Sequence, residues 1–97
     1  MREKTLERKL VEAATRMGGL ALKFTSPGMA GVPDRLLLFP NGKIVFVEMK
    51  APGKQPTSLQ RLRHAQLRNL GFRVYVLDDL VQIRKLLDEM KNPSVSG

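Results

Sequence analysis

The run Ile44-Val45-Phe46-Val47-Glu48-Met49-Lys50 constrains the fold of this chain more than any other stretch. Its leading residues are β-branched or aromatic, and it is bounded by Asn41-Gly42 before and Ala51-Pro52-Gly53 after. Such a run reads as a strand buried on both faces. Side chains alternate along a strand, so Glu48 and Lys50 point to the same side. Charges at the end of a buried strand are costly unless they are paired, metal-bound or reach solvent. Function is therefore to be sought first where this strand ends.

The other elements arrange themselves around it. Residues 3–17 carry an apolar stripe at helical spacing (Leu6, Leu10, Ala13, Ala14, Met17), and Gly18-Gly19 stops the helix. Leu20 to Thr25 alternates as a half-exposed strand with Leu20, Leu22 and Phe24 on one side. Ser26 to Gly31 is a loop, either a plain connection or a flap close to a phosphate backbone. Val32-Pro33-Asp34 opens a strand over Arg35–Phe39, and Asn41-Gly42 predicts a hairpin into Lys43–Lys50. Counted outward from that turn, Pro40 faces Lys43 and Asp34 faces roughly Met49, so Asp34 and Glu48 can converge at one sheet end. Thr57-Ser58-Leu59-Gln60 matches a capping box opening a helix to about Leu70. Leu59, Leu62, Leu67 and Leu70 are expected inward, with Arg61, Arg63, His64, Gln66 and Arg68 as a basic outer face. A strand over Phe72–Leu77 should lie parallel to the one ending at Lys50. Asp78 or Asp79 then caps a last helix bearing Leu80, Ile83, Leu87 and Met90. The order αβββαβα describes an α/β fold, a mixed central sheet with flanking helices. Residues 1–91 form one domain, and residues 92–97 read as a disordered tail.

Composition narrows the function classes. Among the 97 residues there is no cysteine, which excludes disulfides and thiolate zinc sites. No apolar run reaches the roughly 20 residues that span a bilayer, and Met1-Arg2-Glu3-Lys4 leads into an amphipathic pattern rather than a signal peptide. A cytoplasmic protein with no membrane partner is the expectation. The net charge of +8 favours a polyanion, and nucleic acid is the usual one. Between Ala13 and Leu77 stand ten Lys/Arg but two acids, Asp34 and Glu48, both on expected strands.

Two carboxylates on adjacent strands of a basic protein suit a hard divalent cation such as Mg²⁺ (or Mn²⁺), which takes oxygen ligands and substrate phosphates. The backbone carbonyl of Met49 would add one more oxygen. Lys50, on the face of Glu48, would orient an attacking water or stabilise charge on phosphorus. The chemistry in view is phosphodiester hydrolysis leaving a 5′-phosphate. No small-molecule cofactor is implied.

Pro33-Asp34 and Glu48-Met49-Lys50 resemble the signature of the PD-(D/E)xK nuclease superfamily, whose restriction-endonuclease-like core has the same element order. A longer series resembles the virus-type replication-repair nuclease (VRR-NUC) domain. It comprises Gly18-Gly19, Lys23 to Gly28, Gly31 to Arg35, Val47 to Gly53, Ser58 to Gln60 and Gly71 to Val76. The resemblance implies that Asp34 and Glu48 bind metal and that Lys50 is the catalytic lysine. It implies that Glu7 completes the metal site directly or through water, and that Gln60 lies near the scissile phosphate. Stand-alone members of this size resemble phage-encoded homodimers acting on four-way (Holliday) junctions, whereas multidomain relatives cleave flaps. The expected activity is thus metal-dependent cleavage of branched DNA, with Lys23, Lys54, Arg61, Arg63 and Arg68 as phosphate contacts. Apolar surface on the last helix or near Phe39 would form the dimer interface. Rival readings are a basic nucleic-acid-binding module without catalysis, or a nuclease on flaps or linear DNA. For single residues the rivals are a Glu48–Lys50 ion pair, a solvated Glu7, a purely capping Gln60, and His64 as a surface residue or DNA contact.

Overall fold

The strand with the longest apolar run sits inside the sheet, as its composition requires. In the computed structural model, which describes residues 1–91, β1 (Leu20–Lys23), β2 (Arg35–Phe39), β3 (Lys43–Met49) and β4 (Arg73–Leu77) form a four-stranded sheet in the order β1-β2-β3-β4. The expected tail, residues 92–97, lies outside the described residues. β1, β2 and β3 pair antiparallel, and β4 runs parallel to β3. A parallel pair needs a crossover, which α2 (Ser58–Asn69) supplies. The mixed αβββαβα order is the one the sequence implies.

The two faces of the sheet are covered unequally. On one face α1 (Glu3–Arg16) and α3 (Leu80–Lys91) bury Leu6, Leu10, Ala14, Ile83, Leu86, Leu87 and Met90 against Leu37, Phe39, Val45, Val47, Met49 and Leu77. Full burial of one such leucine contributes about 1.5–3 kcal/mol, so this layer holds the fold. On the other face α2 covers only part of the sheet. Phe46 stacks edge-on between Phe24 and Phe72 at 5.6 Å from each, while Leu20, Leu22 and Ile44 stay exposed. The β1 alternation is therefore present, but the side turned to the core carries Ala21 and not the leucines.

Two details differ from the sequence reading. β1 ends at Lys23, although the Phe24 N–H still donates to the Asp34 carbonyl at 2.9 Å. The hairpin register is moved by one residue: Phe39 faces Lys43 and Arg35 faces Val47. Pro40 has no N–H to give the ladder, so it joins Asn41 and Gly42 in a three-residue 3₁₀ turn. Asn41 (φ 70°) and Gly42 (φ 74°) supply the left-handed backbone that closes it. A one-residue slip exchanges the faces of every side chain. Continued one step, this register sets Asp34 across from Glu48, on the same face, where the expected register would have opposed it to Met49.

Candidate active site

The pair Asp34–Glu48 is built by the strand ends. The Met49 N–H donates to Asp34 Oδ1 at 3.2 Å, which ties the residue preceding β2 to the end of β3. Alternation along β2 sends Asp34 to the α2 side and Arg35 to the α1 side. Glu48 is only 4% exposed. Burial first, and then the neighbouring Asp34 carboxyl, push Glu48 up to about 7, against the downward pull of Lys50. Asp34 is raised as well, chiefly by burial and further by the charges of Glu7 and Glu3, with the Met49 N–H opposing. Two carboxyl groups that crowd each other out of solvent share negative charge poorly. The sequence expectation that they converge holds.

The remaining expected residues are placed unevenly. Lys50, half-buried, acts electrostatically on Glu48, and its N–H bonds the Leu77 carbonyl at 3.0 Å. Glu7 turns toward the sheet end but is engaged: its Oε2 accepts from Arg35 Nε at 2.9 Å, and Arg35 Nη1 reaches the Ala21 carbonyl at 3.2 Å. Gln60 closes a capping box, its Oε1 accepting from the Thr57 N–H at 2.9 Å while its own N–H reaches Thr57 Oγ1 at 3.1 Å.

The α2 faces are the main correction. Leu62 (51% exposed) and Leu70 (74%) point outward with Leu59, and the residue that α2 buries is His64, 2% exposed. His64 is neither a surface residue nor a DNA contact; its Nε2 lies 3.5 Å from Glu48 Oε1. Burial, then the charges of Arg68 and Lys50, lower its pKa from the usual histidine value. The basic set divides too. Lys23, Lys54 and Arg61 are exposed. Arg63 Nε donates to the Ala30 carbonyl at 2.8 Å and Arg68 Nη2 to the Val74 carbonyl at 2.7 Å, so both have structural work. The first of these bonds pins the 26–31 loop to α2. The loop therefore has a fixed anchor beside the site.

Comparison with known proteins rests on the same segment. The family model described as the VRR-NUC domain matches residues 3–78, most of the chain. The chain belongs to the VRR-NUC family. It is 55% identical over 78 residues, 80% of this chain and 84% of the other, to a protein of Acyrthosiphon pisum secondary endosymbiont phage 1 named "Putative nuclease p44". A solved structure titled "VRR_NUC domain" superposes with a TM-score of 0.83 at 32% identity, covering 89% of this chain and 94% of that one. Membership places the chain in a nuclease family, and every residue of the Asp34–Glu48–Lys50 constellation falls within the matched segment.

The VRR-NUC site can be tested for a cation from its own atoms. Two acidic side chains stand together, each raised by desolvation. Oxygen donors starved of positive charge fit a hard divalent ion that keeps waters of its own. Among the described residues no group of three or more His, Cys, Asp or Glu is disposed to hold a metal. Glu7 is held by Arg35. Glu3 also raises both Asp34 and Glu48, and so belongs to the electrostatics of the site. Its place one helical turn before Glu7 was the available signal. For His64 the signal was the Gln60, His64, Leu67 spacing, a second stripe masked by the leucines beside it. None of the helices among the described residues is long and apolar enough to cross a membrane.

Proposed function

We propose that this chain is a divalent-metal-dependent endonuclease cutting branched DNA, with four-way junctions as the favoured substrate and a homodimer as the working form. The observation carrying this reading is buried Glu48, pushed up by burial and by half-buried Asp34, beside Lys50 in a chain of net charge +8. Asp34, Glu48 and the Met49 carbonyl would hold Mg²⁺ or Mn²⁺. Such an ion supplies Lewis-acid polarisation of the phosphoryl oxygens and a lowered pKa for bound water.

The chain's own residues do the rest. Lys50 donates to the attacking water or to a phosphoryl oxygen, holding the charge that develops as water adds to phosphorus and the 3′-oxygen leaves. Gln60 has its carbonyl taken by the cap, so it offers amide N–H donors to a neighbouring phosphate. Glu7 holds water at the site. Lys23, Lys54 and Arg61 contact phosphates from the surface, which makes binding sequence-independent and strongly salt-dependent. Symmetric cutting of a junction needs two sites, which a two-fold dimer supplies. Phe39 is buried and offers no apolar surface for it, while the last helix keeps Val81 exposed outside its buried stripe. A larger set of exposed apolar side chains would serve on the α2 side, namely Leu59, Leu62, Leu70, Leu20, Leu22 and Ile44.

The test is to incubate the protein with Mg²⁺ or Mn²⁺ and labelled four-way junction, 5′-flap and linear duplex, beside Lys50→Ala. Paired symmetric cuts by the wild type, with Lys50→Ala binding but not cutting, are the expected result. Flap-only cutting keeps the site and discards the junction. Intact binding without metal-dependent cutting of any substrate leaves a binding module.

A further inference from the structure

α2 buries a histidine and exposes Leu59 and Leu62, the reverse of what apolar burial alone selects. A buried polar atom without a partner pays the full cost of its lost hydration. Here two such atoms face each other: His64 Nε2 and Glu48 Oε1 are both buried, both without a hydrogen-bond partner among the described residues, and 3.5 Å apart. They come from separate elements, one from the middle of a helix and one from a central strand. An approach of about 0.5 Å would bring them to ordinary hydrogen-bond length and satisfy both. Nε2 can carry a proton in the neutral ring as in the imidazolium, so His64 is able to donate to the carboxylate in either form.

We propose that His64 is a positioning residue for Glu48, donating Nε2–H to Oε1 so that the carboxylate keeps its second oxygen for the cation. The inference rests on the reading of Asp34 and Glu48 as the metal-binding pair. Carboxylates that ligate metals are themselves held by hydrogen bonds from outside the ligand set, and those bonds fix their orientation. It also explains the facing of α2. A leucine at position 64 would leave Glu48 Oε1 buried with nothing to hold it. Leu59 and Leu62 take the exposed side, and the capping box at Thr57 and Gln60 fixes the start of the helix whose second turn carries His64.

Calorimetric titration of Mn²⁺ into the DNA-free protein at one pH tests this without reference to activity. His64→Leu fills the volume without a donor, and His64→Gln restores an N–H donor. The expected result is binding about 10–100-fold weaker in His64→Leu, the usual cost of removing such a support, and recovery to near wild type in His64→Gln. His64→Leu binding as tightly as wild type overturns the proposal. Wild type that binds no more Mn²⁺ than Asp34→Asn removes the metal reading beneath it, a distinguishable failure. Where His64→Leu does not fold, the wild-type protein decides by ¹H–¹⁵N spectroscopy. Mg²⁺ should move the His64 Nε2–H resonance downfield and slow its exchange, and an unchanged resonance overturns the assignment.

Discussion

At the scale of single residues, the chemistry of this molecule is concentrated in a carboxyl that the fold keeps uncomfortable. Glu48 sits at about 7, above its ordinary 4.5. Between those values the folded chain holds a proton that the unfolded chain has released, so stability falls as pH rises through the interval and is flat above it. Asp34, also raised, acts in the same direction. In EDTA, calorimetry from about pH 5 to about pH 8 should therefore show a falling Tm. Glu48→Gln should flatten that slope and raise Tm at the alkaline end, while abolishing cleavage. Mn²⁺ added at the alkaline end should raise the Tm of the wild type and leave Glu48→Gln where it was, because a ligand that binds only the folded state stabilises it. A Tm independent of pH in the wild type would remove the crowded-carboxyl account.

At the scale of elements, the site depends on how α2 is started and what it is tied to. Thr57→Ala deletes the cap acceptor for the Gln60 N–H and should cost about 1 kcal/mol in urea unfolding. Gly31 binds the other side of the same contact. Its φ is +86°, and a Cβ there would lie 2.8 Å from Leu59 Cγ and 3.2 Å from Arg63 Cγ. Gly31→Ala should destabilise by about 1–3 kcal/mol and loosen the loop held by Arg63. These dependences also show where sequence reasoning reaches. The strands, their order and the meeting of Asp34 with Glu48 were legible because an apolar run, an Asn-Gly turn and a capping box each have one strong meaning. The register was not, because it turned on whether Pro40 pairs or turns, a one-residue matter that spacing leaves open. The facing of α2 was not legible either. The rule that leucines go inward weighs apolar burial alone, and here the inward place is taken by His64, which faces Glu48 at 3.5 Å. Composition counted Arg63 and Arg68 as charge, and could not show that each also ties its helix to a backbone carbonyl, Ala30 and Val74.

At the scale of the whole molecule, the unequal covering of the sheet remains to be accounted for. One face is sealed by two helices, and the other exposes leucines from β1 and α2 together with Ile44. Scattered apolar side chains on a surface need no explanation, but several on one side of a small chain mark an interaction surface. A second copy of the same chain meets such a surface with a complementary one by symmetry, and gives the two cutting sites a junction requires. Leu62→Glu, alone and with Leu22→Glu, tests this at exposed positions, where substitution should change monomer stability by no more than about 0.5 kcal/mol. In sedimentation velocity the wild type should run as a dimer and the double variant as a monomer of unchanged helicity. On a junction the double variant should make single nicks where the wild type makes paired cuts, since the Asp34–Glu48 site itself is untouched. A wild type that stays monomeric at every concentration, with and without junction DNA, would refute the dimer and leave the exposed leucines to a different partner.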